Sequence, residues 1–141
     1  MYISVINNYP SIIDEVQQRA YISVLLQVAD IDGISDNELG LVKEMAKISS
    51  IDQELFDSCL LNFKSYDLSA LPDYNKKWAI CLIRDAVIIA NIDSGISQEE
   101  LNYLQKIAEF GDIDSDEFKS ISDLTLNQIE ISETWSSIMA N

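Results

Sequence analysis

The sequence predicts an all-α protein: a single compact bundle of about seven helices, built from two copies of one helix–acidic loop–helix unit. Three observations lead there. Glycine (4) and proline (2) are scarce, which disfavours the turn-rich strands of a β sandwich or barrel and suits long helices. Apolar residues make up 48% of the chain, enough to build a core rather than a disordered polymer. The third is a repeat: Ala29-Asp30-Ile31-Asp32-Gly33-Ile34-Ser35 recurs as Ala90-Asn91-Ile92-Asp93-Ser94-Gly95-Ile96-Ser97, with Ser94 inserted. At 141 residues the chain fits one domain, which can bury roughly two-thirds of its unfolded surface.

Beyond the insertion the register holds at an offset of 62. Glu38 meets Glu100, Leu39 meets Leu101, Ala46 meets Ala108, Ile51-Asp52 meets Ile113-Asp114, Phe56 meets Phe118 and Ser58 meets Ser120. So many identities exceed what composition alone supplies, and they mark an internal duplication. Repeat one covers about residues 11–63, a joint covers 64–73, and repeat two covers about 73–122.

The elements follow in order. A first helix is expected from Ser11, where Ser11 and Asp14 resemble a capping box, with a buried stripe at Ile13, Val16, Ala20, Val24 and Val28. It runs into the acidic loop from Asp30 to Gly33. Ser35-x-x-Glu38 is a full capping box and opens helix two, which buries Leu39, Val42, Met45 and Ala46. A third helix follows Asp52, with Leu55, Phe56, Cys59 and Leu60. The stretch from Trp78 to Ala90 is apolar nearly all round, the mark of a helix in the centre of a bundle. Its acidic loop spans Asn91 to Gly95, and Ser97-x-x-Glu100 repeats the capping box before Leu101, Leu104, Ile107 and Ala108. A short helix follows Asp114, and a separate docking helix over about 124–139 is expected to pack through Leu126, Ile129, Trp135 and Ile138.

An apolar helix running into Ala29-Asp30-Ile31-Asp32-Gly33-Ile34-Ser35-x-x-Glu38-Leu39, echoed by the second copy, resembles the repeat signature of the TerB-like tellurite-resistance family. The same domain type forms the N-terminal domain of a membrane-anchored DnaJ-type co-chaperone. The resemblance covers about residues 11–122. It implies an all-α bundle of two pseudo-symmetric halves, acidic loops proposed to hold metal ions, and no established catalytic activity. Two departures stand in the second copy: Ser94 splits Asp93 from Gly95, and Asn91 replaces the counterpart of Asp30.

The chain carries 24 Asp and Glu against 9 Lys and Arg, a net charge of −15, and no histidine. Such a surface repels nucleic-acid phosphates and anionic lipids and attracts cations or basic protein surfaces. No run approaches the roughly 18 consecutive apolar residues of a membrane span, and residues 1–13 lack a basic, then apolar, leader, so the cytoplasm is expected. Cys59 and Cys81 sit in apolar helical stretches and read as buried thiols.

Asp30, Asp32 and Glu38, with Asp93 and Glu100 in the second copy, are the candidate ligands for a divalent cation such as Ca2+, which takes oxygen donors. The loop is not an EF-hand: with Gly33 at the sixth position, the first and twelfth fall on Val28 and Leu39, which offer no ligand. Against the metal reading, Glu38 and Glu100 are also explained as capping-box partners favoured by the helix dipole. Asp85 interrupts the most apolar helix. It reads either as a buried carboxylate hydrogen-bonded to loop backbone or as a direct or supporting ligand of the acidic loops. From Glu109 to Glu133 there are eight acidic residues and one base, Lys119, so that Asp112, Asp114, Asp116 and Glu117 form a candidate face for a basic partner. Tyr66, Tyr74 and Tyr103 are either contacts near that face or core-edge residues. Without histidine, a Gly-rich phosphate loop or an activated cysteine, catalysis is not expected. Two functions suit these features: a non-catalytic interaction module in a stress or metal response, or an acidic inhibitor of the immunity type that covers a basic toxin or nuclease.

Overall fold

Every regular element is helical among the residues described by the computed structural model, 14–71 and 76–140. Six α-helices follow in order: α1 Glu15–Asp30, α2 Asp36–Ile48, α3 Gln53–Asn62, α4 Lys76–Asn91, α5 Gln98–Phe110 and α6 Ser115–Met139. Two 3-10 turns, Phe63–Ser65 and Leu68–Ala70, lie in the joint between α3 and α4. Ser11, Ile13, Asp73 and Tyr74 fall outside the described residues.

α1 and α4 form the centre. From Ala20 to Ala29 every residue of α1 is buried except the half-buried Gln27, so α1 is enclosed all round rather than along one stripe. α4 is enclosed in the same way, burying eleven residues between Trp78 and Ala90. The two helices pack on each other, with the rings of Tyr21 and Trp78 edge to face at 6.0 Å. α2 and α3 cover α1, and α5 and α6 cover α4. Cys59 and Cys81 are both buried, and burial pushes each thiol pKa up.

The caps explain the starts. Asp14, not Ser11, caps α1, its carboxylate accepting from the Val16 N–H at 2.7 Å and the Gln17 N–H at 3.4 Å. The first turn of α1 stands clear of the core, and Val16 is accordingly exposed. Ser35 and Ser97 close full capping boxes, and Asp52 and Asp114 cap α3 and α6. α2 differs from expectation in detail: Leu41 is buried and Leu39 only half-buried.

The described helices number six, not seven, because the break expected near residue 123 does not exist. Ser122, Asp123 and Thr125 look like capping residues, yet none caps. Asp123 pairs with Lys119 one turn earlier at 2.7 Å, and the Thr125 hydroxyl donates to the Ile121 carbonyl at 2.7 Å. With no glycine or proline to stop it, the helix continues. At 25 residues α6 is about 37 Å long, against about 24 Å for the 16-residue α4 beneath it. Its last turns therefore outrun their support. Ile129 is buried and Leu126 half-buried as expected, whereas Trp135 and Ile138 are exposed and do not dock.

Burial separates the consequences of deletion. Ile88→Ala, at a wholly buried position of α4, should cost about 2–5 kcal/mol in urea unfolding. Leu61→Ala, on the solvent side of α3, should stay within about 0.5 kcal/mol of the parent.

Candidate functional site

The two acidic turns are built alike. In the first, the Gly33 N–H donates to the Asp30 carbonyl at 3.1 Å, and Gly33 turns the chain at φ 84°. In the second, Gly95 turns it at φ 88°. Both lie in the left-handed region open to glycine, which is why the chain carries glycine at each. Each turn then feeds a capping box. Glu38 Oε1 accepts the Ser35 N–H at 2.8 Å while Ser35 Oγ accepts the Glu38 N–H at 3.1 Å; the Ser97–Glu100 pair shows 2.9 and 3.1 Å.

The turns adjoin one another. Asn37 Nδ2, in the first turn of α2, donates to Asp93 Oδ1 in the second acidic turn at 3.4 Å. Glu38 and Glu100 are both buried. Burial pushes the Glu38 carboxyl above its ordinary pKa; the Ser35 bonds oppose that, and repulsion from Asp93 and Glu100 adds to it. The remaining candidate ligands lie apart. Asp32 is exposed, and Asp30 lies 4.0 Å from the Lys64 ammonium. Among the described residues no three His, Cys, Asp or Glu gather closely enough to hold a metal ion.

Beside the first turn lies an open depression of about 530 Å3, of mixed polar and apolar lining, that the residue pattern alone did not reveal. Gln27 is its hub. Its Nε2 donates to the carbonyls of Phe63 at 2.9 Å and Tyr66 at 2.7 Å, and its Oε1 accepts the Tyr103 hydroxyl. α1, the joint and α5 are thereby tied together. Burial pushes the Tyr103 phenol pKa up to about 12 and raises that of Tyr66 as well. The signal was present: an amide inside the apolar run from Tyr21 to Ala29 needs partners. A second, apolar groove of about 630 Å3 runs between α5 and α6, lined by Leu101, Leu104, Ala108, Ile113, Phe118 and Leu126.

The acidic face is partly self-neutralised. Glu117 pairs with Lys76 of α4 and also accepts the Asp114 N–H at 3.3 Å. The backbone N–H of Glu117 holds the Asp114 carboxyl below its usual range. Asp112, Asp114 and Asp116 all face solvent.

Asp85 is wholly buried, as its place on the stripe suggested, but its partner is not loop backbone. Oδ1 accepts from Nε of the adjacent Arg84 at 2.9 Å, and Oδ2 has no hydrogen-bond partner among the described residues. Burial drives its pKa well above the ordinary 3.8. The ion pair and the raised pKa pull in opposite directions. With one oxygen unmatched and no exposure, desolvation outweighs the guanidinium. The folded chain thus favours the protonated acid more than the unfolded chain does. That contribution to stability is complete below pH 3.8 and is lost as pH climbs through the raised folded value. Asp85→Asn keeps an acceptor for Arg84 and removes the titration. Its melting temperature relative to the parent should therefore rise as pH increases above about 4 and level off once pH passes the raised folded value; parallel pH profiles would exclude Asp85 as the titrating group.

Set against protein-family models, curated proteins and solved structures, the chain matches none of them.

Proposed function

We propose that this chain is a non-catalytic, TerB-like interaction module acting in the cytoplasm in a stress or metal response, one domain made of two pseudo-symmetric halves. The observation that carries the reading is the adjoining pair of acidic turns, joined by Asn37 and Asp93. Each has a left-handed glycine and a buried capping glutamate at matching positions. The duplication is further supported beyond the turns. Ser50 and Asp112, again 62 apart, both adopt positive φ, at 59° and 57°.

The same proposal includes a divalent cation such as Ca2+ at these turns. Its support is electrostatic. Glu38 feels Asp93 and Glu100 from the other half of the chain, a repulsion that a bound cation relieves. Asp32 and Asp30, which lie apart from Glu38 in the structure, would have to close on the cation to supply further oxygens, with water completing the shell that hard cations require. Isothermal titration with Ca2+, Mg2+ and Zn2+ should give saturable heat for one of them, and Asp32→Ala should weaken it at least several-fold. No saturable heat with any of the three would end the cation reading and leave the interaction module standing.

A second reading is an acidic inhibitor of the immunity type, covering the basic surface of a toxin or nuclease. Exposure of Asp112, Asp114 and Asp116 together at the α5–α6 corner favours it. Complementary fields of this kind speed encounter and fix orientation. The triple change of these residues to Asn retains a capping side chain at position 114 and removes three charges. In pull-downs from the native host, with and without chelator, a basic partner should be lost with this triple variant. Partners that need the metal should instead be lost with chelator.

A further inference from the structure

The free face of α6 carries a stripe that nothing in the chain's described residues covers. Leu124, Ile131 and Ile138 recur every seven residues and Trp135 lies one turn after Ile131, so the four stack along one side of the helix. They are 67%, 57%, 58% and 62% exposed, and Met139 beside them is 78% exposed. The opposite side of α6, with Phe118, Thr125 and Ile129, is buried against the bundle. At these exposures the five side chains leave on the order of 600 Å2 uncovered per chain. Two copies together would bury about 1,200 Å2, the lower end of what stable pairs bury.

Charge selects the occupant. In a chain of −15, the stretch from Leu124 to Met139 holds two charged residues, Glu130 and Glu133, both off the stripe. Gln128 shares the stripe between Leu124 and Ile131, and Asn127 and Thr134 border it on the solvent side. A basic partner finds little to pair with here, and an acidic partner finds no base. A second copy needs no complementary charge, only a self-complementary shape. The stripe has one: Leu124 and Ile138 stand seven residues either side of Ile131.

We infer that the exposed face of α6 is the interface of a homodimer, in which two α6 helices pair antiparallel about a two-fold axis at Ile131. Leu124 of one chain then meets Ile138 of the other, Trp135 packs over the Asn127–Gln128 edge, and the two Ile131 side chains touch across the axis, as an isologous interface requires. Two such acidic bodies repel each other over most of their surface, so association should tighten as added salt screens that repulsion.

Sedimentation velocity of the whole chain across a wide concentration range tests the inference. A concentration-dependent shift from 15.9 kDa toward twice that mass is expected, strengthened by salt. Ile131→Glu should weaken association more than tenfold and leave the helical content unchanged, since the position is exposed in the single chain. Ile131→Cys should form an intermolecular disulfide under diamide, whereas Glu133→Cys, on the other side of the helix, should not. Mass fixed at 15.9 kDa at every concentration overturns the inference. So does a monomer whose stripe becomes reactive only after residues 1–13 are removed, which would assign that cover to the chain itself. A dimer that cross-links equally at 131 and 133 overturns the antiparallel pairing.

Discussion

The structure depends on two helices that are buried on every side. α1 and α4 carry apolar residues around most of their circumference, so each must be wrapped, and they achieve this first by packing on each other. A wrapped helix presents its polar backbone groups only at its ends. The turns that leave α1 and α4 are therefore where acidic side chains collect beside one another, and the caps of α2 and α5 must form there. The adjoining carboxylates are a consequence of the core, since the core decides where the chain surfaces.

Polar groups that stay inside this core are handled in two different ways. Gln27 satisfies its amide completely, with two carbonyls and one phenol, and in doing so holds the joint against α1 and α5. Asp85 is only half satisfied, by the neighbouring Arg84, and is left with a raised pKa. The first arrangement stiffens the bundle; the second makes its stability depend on pH. Outside the core several bases are paired with carboxylates: Lys76 with Glu117, Lys119 with Asp123, Arg19 with Glu15. Such exposed pairs contribute little stability. They do thin the acidic face, leaving Asp112, Asp114 and Asp116 as its open part.

Much of this was legible in the residues because it is local. Ser35-x-x-Glu38 and Ser97-x-x-Glu100 specify capping boxes within four residues, and both formed. Gly33 and Gly95 marked where the chain turns, and both turn it through the left-handed region. The apolar run from Trp78 to Ala90 announced a central helix. What escaped was whatever depended on distant partners. Nothing near Val16 says that it stays exposed. Asp123 and Ser122 suit a cap or a helix surface equally, and Lys119 decided in favour of the surface. The partner of Gln27 lies 76 residues away in Tyr103, beyond any periodicity. Asp30 and Asp32 were grouped with Glu38 by sequence proximity, but the turn sends Glu38 inward and Asp32 to solvent.

The mutual cover of α1 and α4 bears on whether the halves could stand apart. A lone unit of three helices would expose one flank of its central helix, the flank that Trp78 and its neighbours now occupy against Tyr21. Each half is the other's missing wall, so a chain severed in the joint between α3 and α4 would stay folded only while the two pieces remained in contact.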